Sequence, residues 1–229
     1  MMKTRSRRYN SSAESIDNAK AYELQEAIEG LSKQSKVKFD ESIELSFSLG
    51  VDPKQTSQSV RGTVNLPHGS GKDVKVLVFT ENPDEATRLG ADHAGLDDLI
   101  KKIKDGWVDF DVALSTTSAM KSVRSIARVL GPRGLMPTPK AGTVTDNLEE
   151  AIKDVKAGRV EFKMDKTGAM AVLIGKRSFS TEQLVENANS AIQAVTSSRP
   201  EGFKGRFVKS AHVSSTMNPS LKLNTAIFN

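Results

Sequence analysis

Cysteine is absent from this chain of 229 residues. That excludes a disulfide framework, a cysteine nucleophile and any thiolate metal site, and it is compatible with a reducing compartment. Histidine is scarce: His68, His93 and His212 lie far apart, so no metal centre is expected. No apolar run approaches the ~20 residues that a membrane-crossing helix needs, so no membrane partner is expected either. Phosphate-binding and nucleophile signatures are missing as well. Gly175-Lys176 is followed by Arg177, which breaks the P-loop pattern, and no G-x-S-x-G elbow occurs. No cofactor is expected.

What is present is a lopsided charge. Residues 68–159 carry 14 basic and 14 acidic side chains, while the rest carries 19 and 14, so the whole net charge of +5 sits in the two outer segments. A basic part joined to a neutral part suggests that one of them meets a polyanion. The opening Met1–Ser15 is basic and serine-rich. It reads either as a transit peptide, though a short one, or as an arm that touches RNA and is disordered when free.

Apolar periodicity divides the chain the same way. Helical spacing runs from Asn18 to Ser32, then Ile43, Leu45, Phe47 and Leu49 alternate with polar residues as in a half-buried strand. Gly62–Leu66 reads as a second strand. After Pro67 the pattern changes. Val74–Phe79 is a continuous apolar run suited to a strand covered on both faces. Helices are expected at Asp84–Leu89, Leu96–Lys104, from a Ser118 cap to Leu130, and from an Asn147 cap to Gly158, with a strand near Val112–Leu114. Beyond Gly158 the alternating style returns. Val160–Met164 and Met170–Ile174 read as a hairpin, a helix follows a Thr181 cap, and Val208–Ser215 is a last strand. Neither outer segment could bury a core alone, so they are expected to fold together around an insert, with a hinge at Pro67, His68, Gly158 and Arg159.

The run Gly131-Pro132-Arg133-Gly134-Leu135-Met136-Pro137-Thr138-Pro139-Lys140-Ala141-Gly142 is a shaped loop. Its prolines fix φ and its glycines free it, so Arg133 and Lys140 are presented in a defined geometry. Other ordered motifs are Lys38-Phe39-Asp40-Glu41, Arg61-Gly62-Thr63-Val64, Leu66-Pro67-His68-Gly69, Asp105-Gly106-Trp107, Asp165-Lys166-Thr167-Gly168 and Ser215-Thr216-Met217. With the stretch Arg128–Val144, this set closely resembles, over nearly the whole chain, the family of the first protein of the large ribosomal subunit in its bacterial form.

The resemblance implies an α/β fold in two parts. Residues 1–67 and 159–229 would form a discontinuous two-layer RNA-binding domain, a split antiparallel sheet with helices. Residues 68–158 would be an inserted Rossmann-like three-layer α/β domain. It implies a cytoplasmic, ribosome-bound structural constituent with no enzymatic role. The partners implied are the 23S rRNA stalk beside the exit site, exit-site tRNA, the mRNA leader of its own operon and other large-subunit components. Release of deacylated tRNA and repression of its own operon follow from the same resemblance.

Site residues carried over by that resemblance are Lys38, Phe39, Ser42, Glu44, Thr216 and Met217. Phe39 taken alone reads as core, but at an edge it could stack on a base or ribose. Glu44 suits a guanine amino group or a 2′-hydroxyl. Ser215 offers a small hydroxyl for close backbone approach. Asn218 stands where the family pattern has glycine, and asparagine tolerates left-handed φ. Lys166, Thr167, Gly168 and Lys176 add groups from the turn and strand of the same domain. Arg128, Arg133 and Lys140 are secondary RNA contacts on the insert. The alternative is a nucleotide-dependent enzyme built on the Rossmann-like insert. Against it, the turn Glu81-Asn82-Pro83-Asp84 puts carboxylates where phosphate would sit. A stand-alone RNA chaperone is a third reading.

Overall fold

Alternation between Ser42 and Leu49 becomes alternating burial: Ile43, Leu45, Phe47 and Leu49 are buried and Glu44 is exposed. The computed structural model describes residues 5–17, 19–55 and 58–228. In chain order its first elements are α1 (Arg7–Glu14), α2 (Leu24–Lys33), β1 (Ser42–Leu49), β2 (Arg61–Asn65), β3 (Val76–Phe79), α3 (Pro83–Arg88), β4 (His93–Gly95), α4 (Asp97–Lys104) and β5 (Val112–Ser115). Then follow α5 (Met120–Val123), α6 (Ala127–Leu130), α7 (Leu148–Ala157), β6 (Arg159–Lys163), β7 (Ala169–Lys176), α8 (Thr181–Ser197), β8 (Val208–Ser215) and β9 (Leu221–Lys222). The chain divides into two compact units, Met1–Gly71 with Val160–Asn229, and Lys72–Arg159.

The first unit has two layers. Its main sheet runs β7-β1-β8-β9 and is antiparallel throughout, with Leu45 opposite Val172 on one side and Val213 on the other. Ala27, Ile28 and Leu31 of α2, and Leu184, Ala188, Ala191 and Val195 of α8, join the inward residues of β1, β7 and β8 in one core. Each fully buried Leu, Ile or Phe contributes about 1.5–3 kcal/mol, so this face dominates the unit's stability. The opposite face stays polar along β1. α8 starts at a capping box in which Ser180 accepts from the Gln183 N–H and Gln183 answers on the Ser180 N–H. Thr181, expected as the cap, is the first helical residue.

Gly50 lets β1 end against the backbone that leads into β8. Its N–H donates to the Phe207 carbonyl at 2.7 Å, and a Cβ there would overlap the Arg206 carbonyl oxygen. Backbone cannot swing aside as a side chain can. Gly50→Ala is therefore expected to cost about 1–3 kcal/mol, read from the urea midpoint. Unchanged stability would show that the segment before β8 yields freely.

The second unit has three layers. Its parallel sheet runs β4-β3-β5. All four residues of β3 are buried, and successive ones feed opposite cores. Leu77 and Phe79 pack with Leu99, Ile103, Val123 and Ile126; Val76 and Val78 pack with Ala86, Ile152 and Val155. Helices thus cover both faces, as the unbroken apolar run demanded.

Several local expectations change. Arg7–Glu14 of the supposed arm is helical, with Ser6 accepting from the Tyr9 N–H; residues 1–4 and Asn18 lie outside the described residues. β6 and β7 are not a hairpin pair: β6 pairs with β2, while β7 joins β1 in the main sheet. The turn between them redirects the chain from one sheet to the other. The helix expected up to Leu130 is interrupted by a tighter turn at Arg124–Ile126, and Thr116 Oγ1, not Ser118, accepts from the Ala119 N–H. Asn147 and Gly158 do cap α7, the latter at φ 112°.

Candidate functional site

The N-terminal end of β1 gathers most of the residues singled out from sequence. Thr216 extends the β1–β8 ladder: its N–H donates to the Ser42 carbonyl at 3.1 Å, and its Oγ1 accepts from the Ser42 N–H at 3.1 Å. Lys176 closes the other side, its Nζ donating to Ser42 Oγ at 2.9 Å. Lys38 and Phe39 lead into the strand and are exposed. Phe39 is 55% exposed and Met217 49%, the two exposed large hydrophobics among the described residues. The reading of Phe39 as core is thereby overturned. Lys38, Phe39 and Asp40 all stay at the surface, and the chain turns inward only at Glu41.

What holds this end is a buried ion pair. Glu41 is fully buried and meets Arg177 Nη1 at 2.6 Å. The Glu41 carboxylate also accepts from the Met217 N–H at 3.1 Å, from Ser215 Oγ at 3.3 Å and from Asn218 Nδ2 at 3.4 Å. Arg177 donates in turn to the carbonyls of Leu31, Ser32, Gln34 and Ser35. These are carbonyls at and just past the C-terminus of α2, which lack partners within the helix and carry its negative end. The Glu41–Arg177 pair therefore joins the end of α2, the start of β1 and the 215–218 turn.

Ser215 and Asn218 support that turn from within. Both are buried, and their side chains serve Glu41 and each other, with Asn218 Nδ2 to Ser215 Oγ at 3.0 Å. Left-handed φ is not how Asn218 fits. Among the described residues no residue but glycine has positive φ. The side chain of Asn218 is what its position uses. It accepts from Arg8 Nη1 at 2.6 Å, and Arg8 Nη2 reaches the Met217 carbonyl at 2.7 Å. α1 is thus attached to the same turn.

Beside Phe39 lies a cavity of about 320 Å³ bordered by Lys36, Asp40, Arg177 and Ser178. Asp40 is held there by the Ser178 N–H at 3.1 Å and Ser178 Oγ at 2.7 Å. Glu44 lies on the open polar face, opposite Leu173 and Ser214.

Lys166, Thr167 and Gly168 lie elsewhere. The Leu49 N–H donates to the Gly168 carbonyl at 2.8 Å, so their turn sits at the far end of β1, roughly 20 Å from Ser42 at ~3.3 Å per residue. Asp165 organises that turn through the Thr167 hydroxyl and the Thr167 and Ala169 N–H groups. The hydroxyl bond first, then the backbone donors, hold its carboxyl below the usual range. Arg128 and Arg133 are exposed in the second unit; the Lys140 side chain lies outside the described residues.

His68 belongs with the first unit. Its N–H donates to Asn187 Oδ1 at 3.0 Å, its ring meets Glu186 at 2.5 Å, and Asn187 Nδ2 donates to Gly69 O at 3.0 Å. These bonds tie His68 and Gly69 to α8. Pro67 lies within the same unit, so the division falls at Gly71, four residues beyond the boundary expected from sequence. Gly158 and Arg159 close the second unit.

The second unit has a cavity of about 350 Å³ at the carboxyl ends of β3 and β5, where doubly wound folds hold ligands. Glu85, Asp146 and Glu149 line it, with no basic residue among the lining side chains. A nucleotide phosphate would meet repulsion there. No grouping of His, Asp and Glu among the described residues is fit to hold a metal ion.

Sequence reasoning missed the roles of Arg8, Glu41, Arg177 and Asn187. Only Glu41 carried a signal: it keeps step with the buried Ile43, Leu45, Phe47 and Leu49.

A family model described as the ribosomal protein L1p/L10e family matches residues 31–219. The chain is 51% identical over 225 residues to a protein of Kosmotoga olearia named large ribosomal subunit protein uL1, covering 97% of both chains. A protein of the same name from Persephonella marina is 50% identical over 229 residues, covering 97% of this chain and 95% of the relative. Another from Protochlamydia amoebophila is 48% identical over 221 residues, covering 96% and 94%.

Proposed function

The chain belongs to the ribosomal protein L1p/L10e family, as a structural constituent of the large ribosomal subunit and not an enzyme, and from that premise we propose that it binds the 23S rRNA stalk through the N-terminal end of β1. The observation that carries this reading is the exposure of Phe39 and Met217 over a buried Glu41–Arg177 pair. An apolar ring left in water at a built, polar-backed edge suits stacking or ribose contact with RNA. Lys38 and Lys176 supply phosphate attraction, and Ser42, Glu44 and Thr216 supply polar groups for sugars and base edges. Lys166, Thr167 and Gly168, at the other end of the strand, would serve a separate stretch of RNA. Arg128, Arg133 and Lys140 would add stalk contacts from the second unit.

Two chain crossings join the units, so the hinge of this reading lies at Gly71–Lys72 and Arg159–Val160. Hinge motion with the stalk held would let the protein assist departure of deacylated tRNA from the exit site. The same surface, offered a messenger leader shaped like the stalk, would repress translation of the protein's own operon.

A salt titration tests the core of this proposal. The stalk fragment is compared with an unrelated duplex of equal length. Stalk binding is expected to persist at salt that releases the duplex, because shape and base readout add to the phosphate contribution. Equal affinities that collapse together would reduce the surface to an electrostatic binder and withdraw the assignment.

A further inference from the structure

We propose that α1 is a clasp for the RNA-facing turn and that Arg8 is a positioning residue of the interface, an inference that rests on the RNA-binding reading of that turn. Arg8 lies 209 residues before Met217, yet its two terminal nitrogens reach across one turn: Nη2 to the Met217 carbonyl at 2.7 Å and Nη1 to Asn218 Oδ1 at 2.6 Å. Both bonds are charge-assisted, the stronger kind. The Met217 N–H is taken by Glu41. Both backbone polar groups of Met217 are therefore held by charged side chains, while its thioether chain stands half in water.

The amide of Asn218 is engaged at both ends. Oδ1 faces Arg8, and Nδ2 donates to the Ser35 carbonyl at 3.1 Å. α1 is pinned to the same segment, since buried Ser12 accepts from the Ser35 N–H at 3.3 Å. A closed ring results: α1 to the turn through Arg8, the turn to Ser35 through Asn218, and Ser35 back to α1 through Ser12. Such a ring fixes the turn that follows β8. It fixes Met217 before any ligand arrives, which lowers the ordering cost of binding.

The test uses full-length protein, a transcript of the 23S stalk hairpin and an unrelated duplex, with Arg8→Ala and Arg8→Lys as variants. Lysine keeps the charge but lacks the planar fork that spans two acceptors. Both variants are expected to bind the stalk about tenfold more weakly, the scale of one lost charge-assisted bond. Amide exchange at Met217 should rise in both, and the salt slope of Arg8→Lys should match the unsubstituted protein. Normal binding by Arg8→Lys, with a salt slope reduced by about one in Arg8→Ala, would make Arg8 a phosphate contact and overturn the clasp. Unchanged affinity and exchange in both variants would overturn it too. If the unsubstituted protein does not prefer the stalk, the RNA reading fails by itself. The clasp then stands or falls on the Met217 exchange rate alone.

Discussion

Arg177→Met is expected to lower the free energy of unfolding by about 3–5 kcal/mol, the cost of leaving a buried charge without its partner. The abandoned group is Glu41, fully buried, with only neutral donors left around it. The carbonyls of Leu31, Ser32, Gln34 and Ser35 lose the guanidinium at the same time, though Leu31 keeps the Gln34 N–H and Ser35 keeps Asn218 Nδ2. Glu41→Gln should be milder, since the amide keeps one acceptor for Arg177. Because the two residues act as a unit, the double variant should lose less than the sum of the singles. Urea unfolding of the three variants measures this directly. A loss below about 1 kcal/mol for Arg177→Met, the range of exposed pairs, would show that water reaches the pair and that it is not the fastening described.

Phe39→Ala with Met217→Ala should do the reverse: RNA affinity falls and stability stays. Both side chains are half in water, so removing them opens no cavity in the core. Stacking on an aromatic ring contributes about 1–3 kcal/mol per base. With Met217 included, a loss of about a hundredfold in stalk affinity is expected, with an unshifted urea midpoint. Unchanged affinity would remove the site. A lowered midpoint would instead return Phe39 to the core.

Legibility from sequence varied with the physics of each element. β1 and β8 could be read because one face meets a core and the other meets water, which forces a period of two. β3 could be read because both faces are covered. β4 could not: His93-Ala94-Gly95 is too short to show any period, and only its pairing with Leu77–Phe79 makes it a strand. The expected β6–β7 hairpin followed the tendency of neighbouring strands to pair. It failed because pairing is decided by which sheet has an open edge. The site divided likewise. Family-like motifs marked Phe39 and Met217, but an apolar letter does not say which side of the surface it occupies. Arg177 was invisible because its four carbonyl partners lie at and just past the end of a helix more than 140 residues away.

The position of β1 between β7 and β8 sets an order of events during synthesis. β1 is made early, yet both its partners lie beyond residue 168. The parallel sheet of the second unit has every strand partner inside that unit's own span, so it can fold while β1 still waits unpaired. The proposed RNA surface, with Thr216 bonded to Ser42, comes into being only once residue 217 has emerged. A nascent or broken chain that stops short of it has no such surface to offer, and on the proposed reading only chains made past residue 217 would compete for the RNA.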